Sequence, residues 1–420
     1  MDKLILYPGN WLYNASVIGF LSVISRELGE DVVESWLNED GSLAIDKAIF
    51  EPVKIGKEDI PKSLVYYVEY LTENDDIEEW LEKKNKKNDE KKEQSNNEKH
   101  KEYFAAMGRF GYKLIKAFDK LFFNEMLYRN LVQQGDRKEF ITILLNLFSI
   151  TNNRVTHRCD FCGIERAVEP DENSKLEKRL FKFDLMHSSL LGSSVGKFPN
   201  SFWNNSTSLR ICPICLYFII HHHLALTKLE DGSEIFINAQ SFQVMWYLNK
   251  YIKAVNEKAK TADVRRLLGM SVMEMALKTN IQLGKWTMMN IEAVSKLMFK
   301  IKGKPKYKID FYSLPHEVIS LLLNRKISSI LSEIGETSIL NLVLNQNYGR
   351  IMEIGEKVFK IALKKLSGES NKGNDDESDE DDKFIAHYFR LAKEKNDLIK
   401  ISQNLFELYL LIMEKQKRRL

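Results

Sequence analysis

The sequence predicts an α-rich, multidomain protein, and three observations carry that reading. Apolar residues recur at helical spacing over most of the chain, from Trp11–Leu28 near its start to Phe384–Lys417 near its end. All four cysteines fall in two C-x-x-C pairs, Cys159/Cys162 and Cys212/Cys215. A length of 420 residues is enough for two or three domains with a sizeable core. Together these predict an α+β N-terminal body, an inserted four-cysteine element of zinc-ribbon type, and a C-terminal helical bundle.

The elements follow in order. Lys3-Leu4-Ile5-Leu6-Tyr7 reads as a short strand ended by Pro8-Gly9-Asn10, and Trp11–Leu28 as a helix through Leu12, Ala15, Ile18, Leu21 and Ile24. Glu51–Trp80 reads as a loop plus an amphipathic helix. Residues 82–102 hold hardly an apolar side chain and cannot bury enough surface to offset their ordering entropy, so a disordered charged insertion is expected there. Tyr103–Leu131 carries aromatic residues at helical spacing, which is the pattern of a core rather than of a base-stacking platform, and Glu139–Ser149 reads as another helix. Beyond the cysteines, Glu234–Asn238 reads as a strand and Gln240–Lys260 and Val264–Thr279 as helices. Trp286–Leu297, Pro315–Ile334 and Ile339–Leu366 are expected to continue the helical character. An acidic loop at 367–383 precedes a long amphipathic helix from Phe384 to about Lys417. The expected division is 1–153 (N-terminal body), 154–230 (metal-binding region with a polar insertion), 231–285 (helical connector) and 286–420 (basic helical bundle).

The cysteine spacing points to a metal. Two thiolates from each tight turn converge on one ion, and two such pairs complete a tetrahedral site, so Cys159, Cys162, Cys212 and Cys215 are the expected ligands of one structural zinc per chain. Four thiolates leave no position for water, which makes the site a folding staple. Disulfide pairing and C-x-x-C redox chemistry are the weaker readings: the N-terminus shows no signal peptide, and redox chemistry needs only one pair. A 49-residue insertion between the pairs is much longer than in a compact zinc ribbon. His157, His221, His222 and His223 lie near the pairs, but three consecutive histidines point in different directions on a helix.

Net charge is +3, but it is segregated: Glu369–Asp382 carries −7, and Lys383–Leu420 carries +5. That asymmetry suggests a polyanionic partner and an acidic segment able to compete with it. No P-loop, dinucleotide fingerprint, nucleophile elbow or H-E-x-x-H motif occurs, so no enzymatic activity is expected. No apolar run is long enough to span a membrane. Between the cysteine pairs, Lys197, Asn200, Asn204 and Asn205 offer phosphate and base-edge contacts, and Trp203 a stacking surface. The bland alternative is an ordinary surface loop. Lys300, Lys302, Lys304, Lys306 and Lys308 alternate along the chain, and in one extended strand would put five ammonium groups on one side, facing a sugar–phosphate backbone. An edge strand guarded by lysines is the alternative.

Tyr7-Pro8-Gly9-Asn10 followed by Asn14, Ala15 and Gly19, the two C-x-x-C knuckles, and the helical C-terminal region together resemble the CXXC–CXXC family of type I-B CRISPR Cascade large subunits. Trp11 and Asn14 stand where that family's first motif would have proline and a carboxylate. The resemblance implies a non-catalytic, cytoplasmic prokaryotic subunit that contacts the 5′ end of the crRNA, recognises the flanking motif (PAM) in target double-stranded DNA and stabilises the R-loop. The implied partners are the CRISPR backbone and 5′-handle-binding subunits, a small subunit and a helicase-nuclease. It assigns the polar insertion 188–208 to the flanking motif, the lysine run and C-terminal bundle to the displaced strand, and Asn10 to a structural or guide-contacting role. It also allows a small subunit translated internally from a C-terminal methionine such as Met289. Two readings compete: a stand-alone zinc-ribbon DNA-binding regulator, and a metal-dependent hydrolase using His221, His222 and His223 with a carboxylate such as Asp184.

Overall fold

A computed structural model describes residues 3–76, 79, 104–124, 132, 136–146, 155–183, 209–259, 263–278, 291–301, 304–367, 375–389 and 395–417. The chain divides into two compact units: one formed by Met1–Lys228, Gly232–Trp246 and Val294–Asp310, the other by Leu229–Asp231, Tyr247–Ala293 and Phe311–Leu420.

In the first unit, β1 (Lys3–Leu6) pairs antiparallel with β2 (Leu43–Asp46), from Lys3 opposite Asp46 to Leu6 opposite Leu43. Leu4 and Leu6 point inward, as period-two alternation requires. Helix α1 (Trp11–Leu28) is buried on all sides from Trp11 to Leu21, the pattern of a helix at the centre of a core rather than on its surface. A short helix α2 (Glu30–Glu34) follows, and the hairpin of β3 (Pro52–Ile55) and β4 (Glu58–Pro61) leads into α3 (Lys62–Thr72). That hairpin lies within a stretch expected to be loop, because its β3 side chains are mostly solvent-facing and give no apolar period.

The aromatic run is core at Phe104, Phe118 and Phe122, as its spacing predicts, while Phe110 and Tyr112 are half-buried. Helix α4 (Gly108–Phe118) continues into a π-helical turn at Asp119–Asn124, and Phe118, Phe122 and Phe140 of α5 (Arg137–Leu145) meet with ring centroids 5.6–5.8 Å apart. The ion pair Arg137–Asp119 joins α5 to that turn, and Lys120–Asp75 (2.7 Å) reaches back to the end of α3. Next come β5 (Val155–Arg158), β6 (Glu165–Val168), α6 (Lys175–Leu180), β7 (Lys182–Phe183), β8 (Leu209–Arg210), α7 (Pro213–Ile219) and α8 (His222–Ala225). A four-stranded sheet has the order β12–β11–β10–β9, built from β9 (Thr227–Lys228), β10 (Glu234–Asn238), β11 (Glu292–Ile301) and β12 (Lys304–Ser313).

This sheet corrects two expectations. Residues 292–297 form a strand, not a helix: Ala293, Val294, Ser295 and Lys296 are all buried, so an inner strand covered on both faces shows no period of two in its sequence. The lysine run is also not one strand. Lys300 lies next to the end of β11, Lys304–Lys308 open β12, and Lys302 lies outside the described residues.

The second unit is helical: α9 (Phe242–Ala259, from Tyr247 onward), α10 (Val264–Lys278), α11 (His316–Leu322), α12 (Arg325–Ile334), α13 (Thr337–Leu344), α14 (Tyr348–Ser367), α15 (Asp375–Tyr388) and α16 (Lys395–Lys417). Arg325 caps the end of α10 through Ala276 O and Leu277 O, both at 3.1 Å. Two of the long helical stretches read from sequence, Pro315–Ile334 and Ile339–Leu366, are each broken by a local device. Asn324 accepts from the N–H groups of Lys326 and Ile327 and so starts a new helix, and Gln346 sits at φ 58° between α13 and α14. The acidic segment is helical from Asp375, and α15 ends at Tyr388 instead of running into α16. The expected disordered insertion 82–102 lies outside the described residues.

One position in α1 admits no side chain at all. A Cβ on Gly19 would stand 2.0 Å from the carbonyl oxygen of His221, so the backbones of α1 and the α7–α8 segment touch there. Gly19→Ala should cost about 3 kcal/mol or more, whereas Gly349→Ala, facing open space, should be neutral to stabilising. Urea midpoints of the two variants check this.

Candidate metal centre and its neighbours

The first knuckle grows from the β5–β6 hairpin. Cys159 N–H donates to Ile164 O (2.8 Å) and Gly163 N–H to Cys159 O (2.9 Å), a tight turn that places Gly163 at φ 70°, where a side chain would be strained. The second knuckle follows β8. Cys212 is the N-cap of α7 with Pro213 behind it, and its sulfur accepts from Cys215 N–H at 3.4 Å. Cys212 N–H in turn donates to Cys159 Sγ at 3.3 Å, and Asp160 and Arg210 exchange two hydrogen bonds, of 2.9 and 2.6 Å. The knuckles are therefore locked to each other by the backbone as well as by any ion.

The four sulfurs lie within 4.8 Å of one another, with Cys159–Cys215 at 3.8 Å and Cys162–Cys212 at 4.0 Å. Disulfides would need about 2.05 Å, and all four cysteines are free thiols. A tetrahedral ion bonded about 2.3 Å from each of four thiolates sets sulfurs about 3.8 Å apart, which this cluster fits closely. The charges point the same way. Burial drives the Cys212 and Cys215 thiols well above their usual range, while hydrogen bonds from the other cysteines hold Cys162 far below it. Four buried sulfurs at this spacing ionise together only if a cation supplies the countercharge. Among the described residues, no other cysteine, histidine or carboxylate group is gathered closely enough to hold a metal.

The N-terminal turn packs directly on this centre. A Cβ on Gly9 would lie 2.8 Å from Phe161 O, inside the first knuckle. Asn14 fixes that approach: its Oδ1 accepts from Gly9 N–H (2.8 Å), and its Nδ2 donates to Gly9 O (3.0 Å) and to Asn238 Oδ1 on β10 (2.8 Å). Tyr13 stands on the same helix with its hydroxyl fully buried. Burial first, then the charges of Cys215, Cys162, Cys212 and Cys159, push its pKa well above the ordinary phenol value. Asn10 is the exposed N-cap of α1, accepting from Tyr13 N–H at 3.0 Å, so its side chain is committed to starting the helix. Sequence reasoning chose Asn10 and passed over Tyr13 and Asn14 as site residues; only tertiary packing reveals that they face the knuckles.

The histidine run is packed into the core. His221 Nδ1 lies 3.0 Å from Tyr217 O, its ring stacks 3.9 Å from the Tyr67 ring, and Tyr67 donates to Ile220 O. His222 is equally buried against Ile219 O. Burial pushes His221 down to about 3 and His222 well below its usual value, so both stay neutral. Asp184, the carboxylate of the hydrolase reading, lies outside the described residues, as do Lys197, Asn200, Trp203, Asn204, Asn205 and Lys302. Lys300, Lys304 and Lys306 are described in backbone only. Lys308 is exposed and paired with Asp310 at 2.7 Å.

Residues 152–225 match the model of a family of CRISPR-associated proteins, Cas_CXXC_CXXC. The segment around the two cysteine pairs is thus similar to the CXXC–CXXC Cas family. No curated protein and no solved structure matches the chain. The matched segment runs from just before the first knuckle to the end of α8, so it contains both cysteine pairs and the buried histidines. The α7–α8 part of the matched segment is built into the core of its unit against α1. No described helix is long and apolar enough to cross a membrane.

The neutral histidines give a pH dependence of definite sign. Their folded pKa values lie below the unfolded value near 6.5. Their contribution is complete above that pH and declines as pH falls from about 6.5 toward 3, by up to about 1.4 kcal/mol per unit for each imidazole. His221→Phe, which keeps the ring against Tyr67, should flatten the fall in urea midpoint between pH 7 and pH 5. An unchanged slope would show that His221 does not titrate on unfolding.

Proposed function

We propose that this chain is the non-catalytic large subunit of an RNA-guided CRISPR surveillance complex of type I-B, with one structural zinc in the four-cysteine centre. The observation that carries the reading is a closed four-sulfur cluster inside the segment that matches the Cas family. Four soft thiolates in tetrahedral spacing favour zinc over hard cations, and full coordination leaves no position for an activated water. Cys159, Cys162, Cys212 and Cys215 would hold the ion. Its chemistry there is structural: it neutralises the thiolates and joins the two knuckles.

In this role the chain contacts the 5′ end of the crRNA, recognises the flanking motif in duplex DNA and helps hold the R-loop for a helicase-nuclease. Base pairing with the guide reads the target sequence, and the protein reads the short motif and the backbone, a division of labour known from other guided effectors. The insertion 188–208, with Lys197, Asn200, Trp203, Asn204 and Asn205, is assigned to the flanking motif on its polar and aromatic composition alone. The lysine run, divided between two strands, is assigned to a sugar–phosphate contact on its charge alone. The proposed setting is the prokaryotic cytoplasm.

The test is co-purification with the products of neighbouring genes, followed by sequencing of bound RNA. Uniform short RNAs with a common repeat-derived 5′ end are expected; recovery of the chain alone, or with random RNA, would favour a solitary zinc-ribbon regulator. Metal analysis of the same preparation should give about one zinc per chain. Cys212→Ser should release it and lower the melting temperature, since the apo cluster leaves buried thiols without their cation.

A further inference from the structure

Helix α14 carries Lys357, Lys360 and Lys364 at i, i+3 and i+7, which sets them along one stripe, with Lys365 beside it. The acidic helix α15 lies on that stripe. Lys364 meets Asp381 at 3.5 Å, Lys365 meets Asp382 at 2.9 Å, and the Lys357 ammonium stands 4.2 Å above the Phe384 ring. The two ends of α15 are held differently. Its C-terminal end is anchored by buried Ile385 and Phe389 and by Ser338 Oγ donating to Tyr388 O at 2.9 Å. Further toward its start, Asp381 and Asp382 meet α14 through ion pairs. They are open to water, with side-chain exposures of 44 % and 19 % for Lys364 and Asp381, and 31 % and 67 % for Lys365 and Asp382. Pairs of that kind contribute at most about 1 kcal/mol each and weaken with salt. They hold an acidic segment in place without burying it.

We propose that the lysine stripe of α14 is a binding face for the sugar–phosphate backbone of single-stranded nucleic acid, and that Asp381 and Asp382 of α15 are its built-in competitor. The inference rests on the proposed role in a nucleic-acid complex and names the surface and its regulation. The stripe offers ammonium groups to successive phosphates. The acidic helix occupies them with carboxylates until a strand of higher charge density displaces it, and Ile385 and Phe389 keep the displaced segment tethered nearby. Weak binding is rejected, because any ligand must exceed an intramolecular competitor at high effective concentration. Only a long or otherwise anchored strand does so.

The full-length chain is titrated against fluorescein-labelled oligothymidylate at about 0.1 M salt, with oligouridylate of equal length and heparin as comparison arms. Asp381→Asn with Asp382→Asn should bind the oligonucleotide about three- to tenfold more tightly, with a steeper salt dependence. Adding Lys364→Ala and Lys365→Ala should remove that gain. In the unsubstituted chain, oligothymidylate should raise amide hydrogen exchange at 380–384 while leaving 385–389 protected. Melting temperatures within a few degrees of the parent establish that all variants fold. Equal affinities for parent and neutralised chain, a gain that survives the lysine changes, or no binding by any variant would each overturn the proposal. A gain for heparin alone would do the same, since it would mark a general anion effect. If the chain still co-purifies with uniform guide RNA in those cases, the surveillance-complex reading stands without this surface.

Discussion

How closely helix α1 can lie against the segment bearing the second cysteine pair sets the rest of the first unit. Gly19 lets the α1 backbone meet His221 O directly, and Phe20 packs into the aromatic group of Phe50, Tyr217, Phe218 and His221. One helix therefore fixes two remote stretches of chain: the α7–α8 segment and, through Asn14, β10. A helix buried on every side must satisfy its own polar groups. Ser16 Oγ donates to Leu12 O at 2.6 Å, and Asn14 uses its whole amide on Gly9 and Asn238. Unpaired, each such group would cost about 1–3 kcal/mol.

That arrangement explains why the turn at Gly9-Asn10 and the first knuckle belong to one structural unit although far apart in sequence. Asn14 holds both backbone groups of Gly9, Gly9 lies against Phe161 O, and Tyr13 faces the sulfurs from the next position on the helix. The early asparagine and glycine residues are thus explained by packing around the metal centre. Their spacing follows from one turn of helix: Asn10 caps, Tyr13 and Asn14 point to the knuckles, and Gly19 gives clearance on the α8 side. A role in contacting a guide is not needed to account for them.

Much of this was legible before the fold. Trp11–Leu28, Glu234–Asn238 and the four ligands emerge because each signal is local: helical period, strand composition between turns, and C-x-x-C spacing. The failures were equally physical. β11 escaped because burial on both faces erases the alternation that marks a strand. The breaks at Asn324 and Gln346 escaped because one capping amide or one left-handed residue interrupts a helix without changing its apolar period. The acidic stretch reads as loop on composition, since adjacent carboxylates repel; its helicity comes with Lys364 and Lys365 from another helix, which no local window contains. Tyr13 and Asn14 look like ordinary members of an apolar helix for the same reason.

The long separation between the cysteine pairs is the feature least like a compact ribbon, and loop-closure entropy shows why it is tolerable. Closing a loop of this length costs only about 3.5 kcal/mol more than closing a minimal one. A four-thiolate zinc site of the kind proposed supplies about 10–16 kcal/mol. The knuckles are also joined without the ion, by the Asp160–Arg210 pair of hydrogen bonds and by Cys212 N–H donating to Cys159 Sγ at 3.3 Å. Part of the stretch between them belongs to the core, since Ala167, Val168, Leu176, Leu180 and Phe181 are buried, and the polar composition begins only beyond these residues. Ser, Asn, Gly and Lys accumulate at 188–208, beside Phe198, Phe202 and Trp203. A rigid, closed base carrying a polar and aromatic insertion suits a surface that must read a ligand, because variation in the insertion leaves the staple beneath it unchanged.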